Sequence, residues 1–185
     1  ALYGTQVIYI SVDGRYLIQG VVMDMHDGKR NLTALATNQA RQNYMQEVNA
    51  QMPLRFGAEK PRHTVTVFTD INCTYCRKLH NQMDGYASYG IAINYLMFPR
   101  KGLDSDGYRK AVAVWCSADR EQALTEAKLG KEIEAKDCAN PVAEHYALGQ
   151  KMGVSGTPAI LLEDGTLIPG FVPPAELAQQ LDAVR

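Results

Sequence analysis

The chain has 185 residues, of which 46% are hydrophobic and 21% are charged, and its formal net charge is −1. This length and composition predict one core domain with a small appendage. The near-neutral charge, without long lysine or arginine runs, excludes the basic surface typical of nucleic-acid-binding proteins. No apolar stretch is long enough for a transmembrane helix and no signal peptide is evident, so we expect a mature or further trimmed chain.

Residues 1–36 are predicted to form a small β-rich part. Residues 6–12 and 15–25 have the pattern of a hairpin, with Asp13-Gly14 as its turn. Because two strands alone are marginally stable in water, this hairpin is expected to pack against the main domain, a second copy or further strands. Residues 26–31, with Asp27-Gly28, are polar and rich in turn formers.

Residues 37–60 are predicted to be a linker. Thr37 or Asn38 is a candidate N-cap for a helix that runs to about Ala50, and Pro53 marks its limit. The segment from Arg55 to Arg62 is interpreted as a connector.

From residue 61 to residue 185 the pattern changes to α/β. Strands are predicted at 64–69, 91–98, 159–162 and 166–169. One helix is predicted directly after the first strand, three more at about 106–117, 119–129 and 141–152, and a last one from 173 to about 183. This order predicts a thioredoxin fold with a helical insertion at about 104–152.

The sequence Cys73-Thr74-Tyr75-Cys76 lies between the first of these strands and the helix that follows. Thiol–disulfide exchange requires a thiolate, and the N–H groups at a helix N-terminus lower the pKa of a cysteine there. We therefore predict that Cys73 is an exposed nucleophile and that Cys76, one turn further on, is a buried resolving thiol. Thr74 and Tyr75 are expected to tune the thiolate.

Pro158 immediately precedes the third predicted strand of this part of the chain. The Thr157–Pro158 bond is predicted to be cis, although only about 5–6% of X–Pro bonds in folded proteins are. A cis bond would turn the Thr157 backbone towards the Cys73 sulfur, where it would pair with an extended substrate chain.

Cys116 and Cys138 form a second, widely spaced cysteine pair. A bridge between them would stabilise the fold by about 3 kcal/mol and would imply an oxidising compartment. The alternative is a pair of buried free thiols in a cytosolic protein.

Metal and haem sites are disfavoured by the same spacings. A structural zinc ion needs four ligands, and although His80 would share a helical face with Cys76, the distant cysteines lack the close spacing of zinc ligands. Haem attachment requires histidine where Arg77 stands. His80 is interpreted as a helix-surface or packing residue and His145 as a helix residue with satisfied polar groups, and no cofactor or metal is expected.

Several separate segments carry a more specific signal: residues 9–24, 67–80, 98–105, 115–116, 145–149 and 153–159. Together they resemble the DsbC/DsbG family of periplasmic thiol:disulfide interchange proteins, and most closely its DsbC group. The resemblance covers nearly the whole chain.

The resemblance implies a V-shaped homodimer in which small N-terminal domains pair, linker helices form the arms and two thioredoxin domains face an apolar cleft. Residues 1–36 would be the later part of that small β-rich (α+β) dimerisation domain, whose beginning is expected to be missing from this chain. Cys116–Cys138 would match the structural disulfide of the family. The implied location is the periplasm, the implied substrates are misfolded or misoxidised periplasmic proteins, and the implied reductant is a DsbD-type membrane carrier.

The predicted function is therefore disulfide isomerisation or reduction, in which Cys73 attacks a wrong disulfide and Cys76 resolves the mixed disulfide. An alternative is reduction of sulfenylated or mixed-disulfide cysteines, as in the DsbG group. A further alternative is a chaperone-type module that binds unfolded chains. A net oxidant similar to DsbA is disfavoured, because that group favours proline within its motif.

Overall fold

The N-terminal part of the protein consists of short antiparallel strand pairs. The structure is a computed structural model that describes residues 2–26 and 28–183, so Asp27 of the predicted turn lies outside the described residues. The pairs are β1 (Leu2–Tyr3) with β2 (Gln6–Val7), β3 (Tyr9–Ile10) with β4 (Leu17–Ile18), and β5 (Met23–Asp24) with β6 (Arg30–Asn31). The β3–β4 pair is the predicted hairpin. Its arms are shorter than expected because β2 and β5 pair with other strands.

Two helices follow, α1 (Leu32–Gln42) and α2 (Met45–Ala50). The Asn31 side chain caps α1 by accepting a hydrogen bond from the Ala34 backbone N–H at 2.8 Å. The predicted caps at Thr37 and Asn38 are therefore wrong, since both residues lie inside α1.

Polar contacts hold α1 against the α/β part of the chain. The Asn38 side-chain amide donates to Thr166 Oγ1 at 2.8 Å, and Arg41 Nε donates to the Met152 carbonyl at 2.9 Å. In this structure, α1 therefore packs on the domain that follows it.

Within the described residues, five strands build the central sheet: β7 (Leu54–Gly57), β8 (His63–Thr69), β9 (Ile91–Met97), β10 (Ala159–Leu161) and β11 (Leu167–Pro169). Their order is β11-β10-β8-β9-β7, with only the β8–β9 pair parallel. β7 lies inside residues 37–60, which were predicted to be a linker. It becomes an edge strand because it pairs with β9, a long-range contact that its own residues do not reveal.

Parallel strands require a crossover, and α3 (Thr74–His80) and α4 (Met83–Ser88) provide it between β8 and β9. The predicted insertion contains α5 (Asp106–Trp115), α6 (Arg120–Lys128) and α7 (Val142–Lys151), and α8 (Pro174–Ala183) ends the described chain. This is the predicted thioredoxin-like arrangement, and it puts the start of α3 at the carboxyl end of a central strand.

The sheet separates two apolar clusters, because successive side chains of a strand point to opposite faces. Val65 and Val67 of β8 pack in the larger cluster with helices that include α5 and α6, whereas Phe68 packs in the smaller one with Leu148 and Val48. β8 is therefore buried on both faces, and the loop that follows it starts from a rigid position.

Cys116 and Cys138 form a disulfide. Cys116 is the C-cap residue of α5, and Cys138 lies in the irregular segment before α7. The bond therefore ties that segment to the end of a packed helix.

Candidate active site

Cys73 and Cys76 lie at the junction between β8 and α3. Cys73 is the N-cap residue of α3, and its sulfur accepts a hydrogen bond from the Cys76 backbone N–H at 3.4 Å. The Cys73 backbone N–H donates to the Asp70 carbonyl at 3.2 Å, which closes the turn between strand and helix. Neither cysteine is in a disulfide.

Neither thiol is exposed in this structure. Cys73 is 2% exposed and Cys76 is 1% exposed. The prediction of an exposed Cys73 is therefore wrong for the conformation described. The reason is the segment before β10, where the Thr157 carbonyl accepts a hydrogen bond from the Cys73 thiol at 3.2 Å.

What distinguishes the two cysteines is their electrostatic environment. A hydrogen bond from the Cys76 side chain, with help from the Thr157 hydroxyl, the Cys76 backbone N–H and the charge of Arg100, lowers the pKa of Cys73 to about 5, against the opposing effect of burial. An ordinary cysteine has a pKa near 8.5 and is mostly protonated at neutral pH, whereas a pKa of about 5 makes Cys73 mostly a thiolate there.

The pKa of Cys76 moves the other way. Burial raises it far above its ordinary value, and the hydrogen bond to Cys73 raises it further. The charge of Lys128, the Asp70 backbone and the Thr69 hydroxyl act in the opposite direction. At neutral pH the pair therefore holds one thiolate, on Cys73, and one thiol, on Cys76.

The Thr157–Pro158 peptide bond is cis. The Pro158 carbonyl accepts a hydrogen bond from the Gly170 backbone N–H at 2.8 Å, which fixes the start of β10. The Thr157 hydroxyl is buried and has no hydrogen-bond partner within the described chain. It remains able to donate to the Cys73 sulfur once that sulfur is an anion, which agrees with its effect on the pKa of Cys73.

Asp70 and Arg100 also belong to the site, and the sequence interpretation gave them no role. Asp70 is 5% exposed and accepts hydrogen bonds from the Arg100 backbone N–H at 3.0 Å, from Arg100 Nε at 3.2 Å and from the Asn72 backbone N–H at 2.7 Å. These bonds fix the loop that carries Cys73. A carboxylate directly after a strand rich in valine and threonine, and just before the cysteine motif, was the available signal.

The other predicted residues lie at the edge of the site. Thr74 and Tyr75 are exposed, so their predicted effect on the thiolate stays a prediction. His80 and His145 are buried packing residues: His80 Nε2 lies 3.0 Å from Thr125 Oγ1, and His145 Nδ1 accepts from a backbone N–H of β9.

Within residues 2–26 and 28–183, no group of three or more His, Cys, Asp or Glu side chains could hold a metal ion. No helix in the same ranges is long and apolar enough to cross a membrane.

Comparison with known proteins gives concordant matches. The model of a thioredoxin-like domain family matches residues 54–185, and that of the N-terminal domain of disulfide bond isomerase proteins matches residues 1–34. The chain is 41% identical over 181 residues to the thiol:disulfide interchange protein DsbC of Escherichia coli K12, which covers 98% of this chain and 75% of that protein. It is also 41% identical to DsbC of Dickeya dadantii, over 96% of this chain and 73% of that protein.

A solved structure agrees with these sequence matches. The crystal structure of a disulfide interchange protein from Neisseria gonorrhoeae superposes with a TM-score of 0.63 and 29% sequence identity, over 71% of this chain and 94% of that one. Fold, cysteine geometry and sequence similarity thus point the same way, and the chain belongs to the DsbC family of thiol:disulfide interchange proteins.

Proposed function

We propose that this protein is an enzyme that attacks non-native disulfides of periplasmic proteins through the Cys73 thiolate, and that Cys76 resolves the mixed disulfide. The observation that carries the proposal is the opposite direction of the two pKa shifts, with that of Cys73 lowered and that of Cys76 raised. One cysteine is thereby ready to attack, while the other stays protonated until it is needed.

The chemistry is a two-step exchange of sulfur partners. The Cys73 thiolate attacks one sulfur of a substrate disulfide, so that a Cys73–substrate bond forms and the other substrate sulfur leaves as a thiolate. In isomerisation, a substrate thiolate attacks the mixed disulfide and frees Cys73. In reduction, the Cys76 thiolate attacks Cys73, which leaves an oxidised cysteine pair and a reduced substrate.

The substrate backbone is proposed to bind beside Thr157. The Thr157 carbonyl oxygen lies 3.2 Å from the Cys73 sulfur and accepts a hydrogen bond from the Cys73 thiol. That partner is lost when Cys73 ionises, so the carbonyl becomes free to accept a hydrogen bond from an extended substrate chain.

A homodimer is proposed for the protein. Ile10, Val12, Leu17, Ile18 and Met25 are all exposed in the N-terminal part, which is the apolar surface that a second copy would cover. The same surface favours a second candidate function, chaperone-type binding of unfolded chains. Reduction of sulfenylated cysteines would use the same thiolate and stays a prediction.

The disulfide between Cys116 and Cys138 supports an oxidising compartment, and we propose the periplasm. An isomerase there must be kept reduced, which a DsbD-type membrane reductant would do.

The test is recovery of a scrambled multi-disulfide substrate with a catalytic amount of reductant. We expect recovery by the wild-type protein and none by Cys73→Ala. Reduction of a simple disulfide without recovery of the scrambled substrate would refute isomerisation and leave a reductase. If Cys73→Ala still suppresses aggregation of a substrate that lacks disulfides, binding of unfolded chains is a separate activity.

A further inference from the structure

Lys128 is a buried cation beneath the cysteine pair. It is the last residue of α6 and is only 2% exposed. Its Nζ donates a hydrogen bond to Thr69 Oγ1 at 2.8 Å and lies 5.5 Å from the centroid of the Tyr95 ring. Lysine is almost never fully buried without a partner that compensates its charge. In this structure the hydrogen-bond partner is a neutral hydroxyl, so the compensation has to come from elsewhere.

The Thr69 hydroxyl connects Lys128 to Cys76. Because Thr69 Oγ1 accepts from Lys128, its own proton is available to another acceptor. The Thr69 side chain also acts on Cys76, where its hydrogen bond favours the thiolate. Lys128 and Thr69 are thus hydrogen-bonded to each other, and both favour the thiolate form of Cys76.

The surroundings of Lys128 contain groups of both signs. Those that face it from α3, from the end of β8 and from β9 are Cys73, Cys76, Arg77, His80, Asp70 and Tyr95. Burial lowers the pKa of Lys128 to about 8, although the charges of Cys76, Cys73 and Asp70 act in the opposite direction. A fraction of the protein therefore holds a neutral amine near neutral pH, and a neutral amine can take up a proton.

We propose that Lys128 is a positioning residue that takes the proton of the Cys76 thiol through the Thr69 hydroxyl and then, as an ammonium ion, stabilises the Cys76 thiolate for the resolving step. The proton of Cys76 passes to Thr69 Oγ1 while the Thr69 hydroxyl proton passes to Lys128 Nζ, so the number of protons is unchanged. The thiolate then attacks Cys73, the Cys73–Cys76 bond forms, and the bond between Cys73 and the substrate breaks. The substrate sulfur leaves with the electron pair and is protonated by solvent.

This inference rests on the proposed function, because it assigns a role within the resolving step. The test separates the two. The reduced protein is mixed with the aromatic disulfide dithionitrobenzoate, and release of coloured thionitrobenzoate is followed by stopped flow. The first release reports the attack of Cys73 and depends on the reagent concentration. The second release reports the attack of Cys76 on the Cys73 mixed disulfide, and its rate does not depend on the reagent concentration.

The variants are Lys128→Met, which removes the amine, and Lys128→Arg, which keeps the charge but has no neutral form at these pH values. Lys131→Met is the matched control, because Lys131 is exposed and pairs with Glu126 at the surface. In the wild type we expect the second rate to level off as the pH rises through about 8, where Lys128 loses its proton. In Lys128→Met we expect the second rate to be lower by at least about tenfold near neutral pH, and to keep rising as the pH is raised.

Lys128→Arg is expected to recover part of the rate near neutral pH and to lose the levelling off, while the first release stays unchanged in every variant. Stability of Lys128→Met should be equal to or higher than that of the wild type, because burial of an ammonium group is unfavourable. A second rate in Lys128→Met that equals the wild-type rate at every pH would overturn the role of Lys128. A levelling off that persists in Lys128→Arg would overturn the proton transfer. Absence of the second release from the wild type would instead refute Cys76 as resolving thiol, and with it the proposed function.

Discussion

The low pKa of Cys73 depends on its partner cysteine more than on any other group, and replacing Cys76 measures that dependence. Four causes lower the pKa of Cys73, and the hydrogen bond from the Cys76 side chain is the largest of them. The net lowering is from 9.0 to about 5, in spite of an opposing effect of burial. The largest of four causes supplies at least a quarter of their sum, so Cys76→Ala should raise the pKa of Cys73 to about 6 or higher.

The consequence is a change in the pH dependence of alkylation, because only the thiolate reacts. At pH 5 the thiolate fraction of Cys73 should fall from about one half in the wild type to about one tenth or less in Cys76→Ala, which makes alkylation by iodoacetamide about fivefold slower. At pH 8 the thiolate is dominant in both proteins and the rates should nearly agree.

Cys76→Ser is the matched control, because its hydroxyl can still donate to the Cys73 sulfur. We expect its alkylation profile to lie closer to that of the wild type than to that of Cys76→Ala. An inflection near pH 5 in Cys76→Ala would refute the reasoning and assign the low pKa to the backbone N–H, Thr157 and Arg100. Equal profiles for the two variants would show that removal of a donor is not the cause.

Three further changes test other parts of the structure. Thr157→Val removes a buried hydroxyl that has no partner in the described chain, so alkylation should show a higher pKa for Cys73 with no loss of thermal stability; a loss of stability would contradict this. Asn31→Ala removes the cap of α1 and should lower the free energy of unfolding by about 1 kcal/mol in denaturant titrations, whereas Asn38→Ala at the cap predicted from sequence should leave α1 capped. Burial lowers the pKa of His80 from 6.5 to about 4, so between these values the unfolded chain binds the proton and the folded one does not. The free energy of unfolding should therefore decrease as the pH falls through that window, by up to about 1.4 kcal/mol per pH unit. His80→Phe should flatten this dependence if the assignment is right.

The parts of the fold that the sequence predicted are those with a strong local pattern. β8 is rich in β-branched valine and threonine, β9 is apolar except for Asn94, and both were predicted to within one residue at each end. The helices of the insertion carry capping residues that fix their starts, such as Ser105 before α5 and Asp119 before α6. The cysteine motif was recognisable because its chemistry requires a fixed spacing at a helix start.

The parts that were missed depend on contacts between distant residues. Leu54–Gly57 is a strand because β9 pairs with it, and Cys73 is buried because the segment around Thr157 covers it. Lys128 lies on a helix with mostly polar residues, and the lysine is buried because that helix packs beneath the cysteine motif. None of these contacts has a counterpart in the neighbouring sequence.

The coupling between the cysteines also explains how Cys76 can be inert at one stage and reactive at the next. The hydrogen bond to Cys73 is one of the causes that raise the pKa of Cys76, because the Cys76 proton is held by the Cys73 thiolate. When Cys73 forms a mixed disulfide, its sulfur is no longer an anion and this cause is lost. The attraction of Lys128 and the hydrogen bond of Thr69 remain, and both favour the Cys76 thiolate. The pKa of Cys76 therefore falls when a substrate is bound to Cys73, so the resolving thiol becomes active only at the stage at which there is a mixed disulfide to resolve.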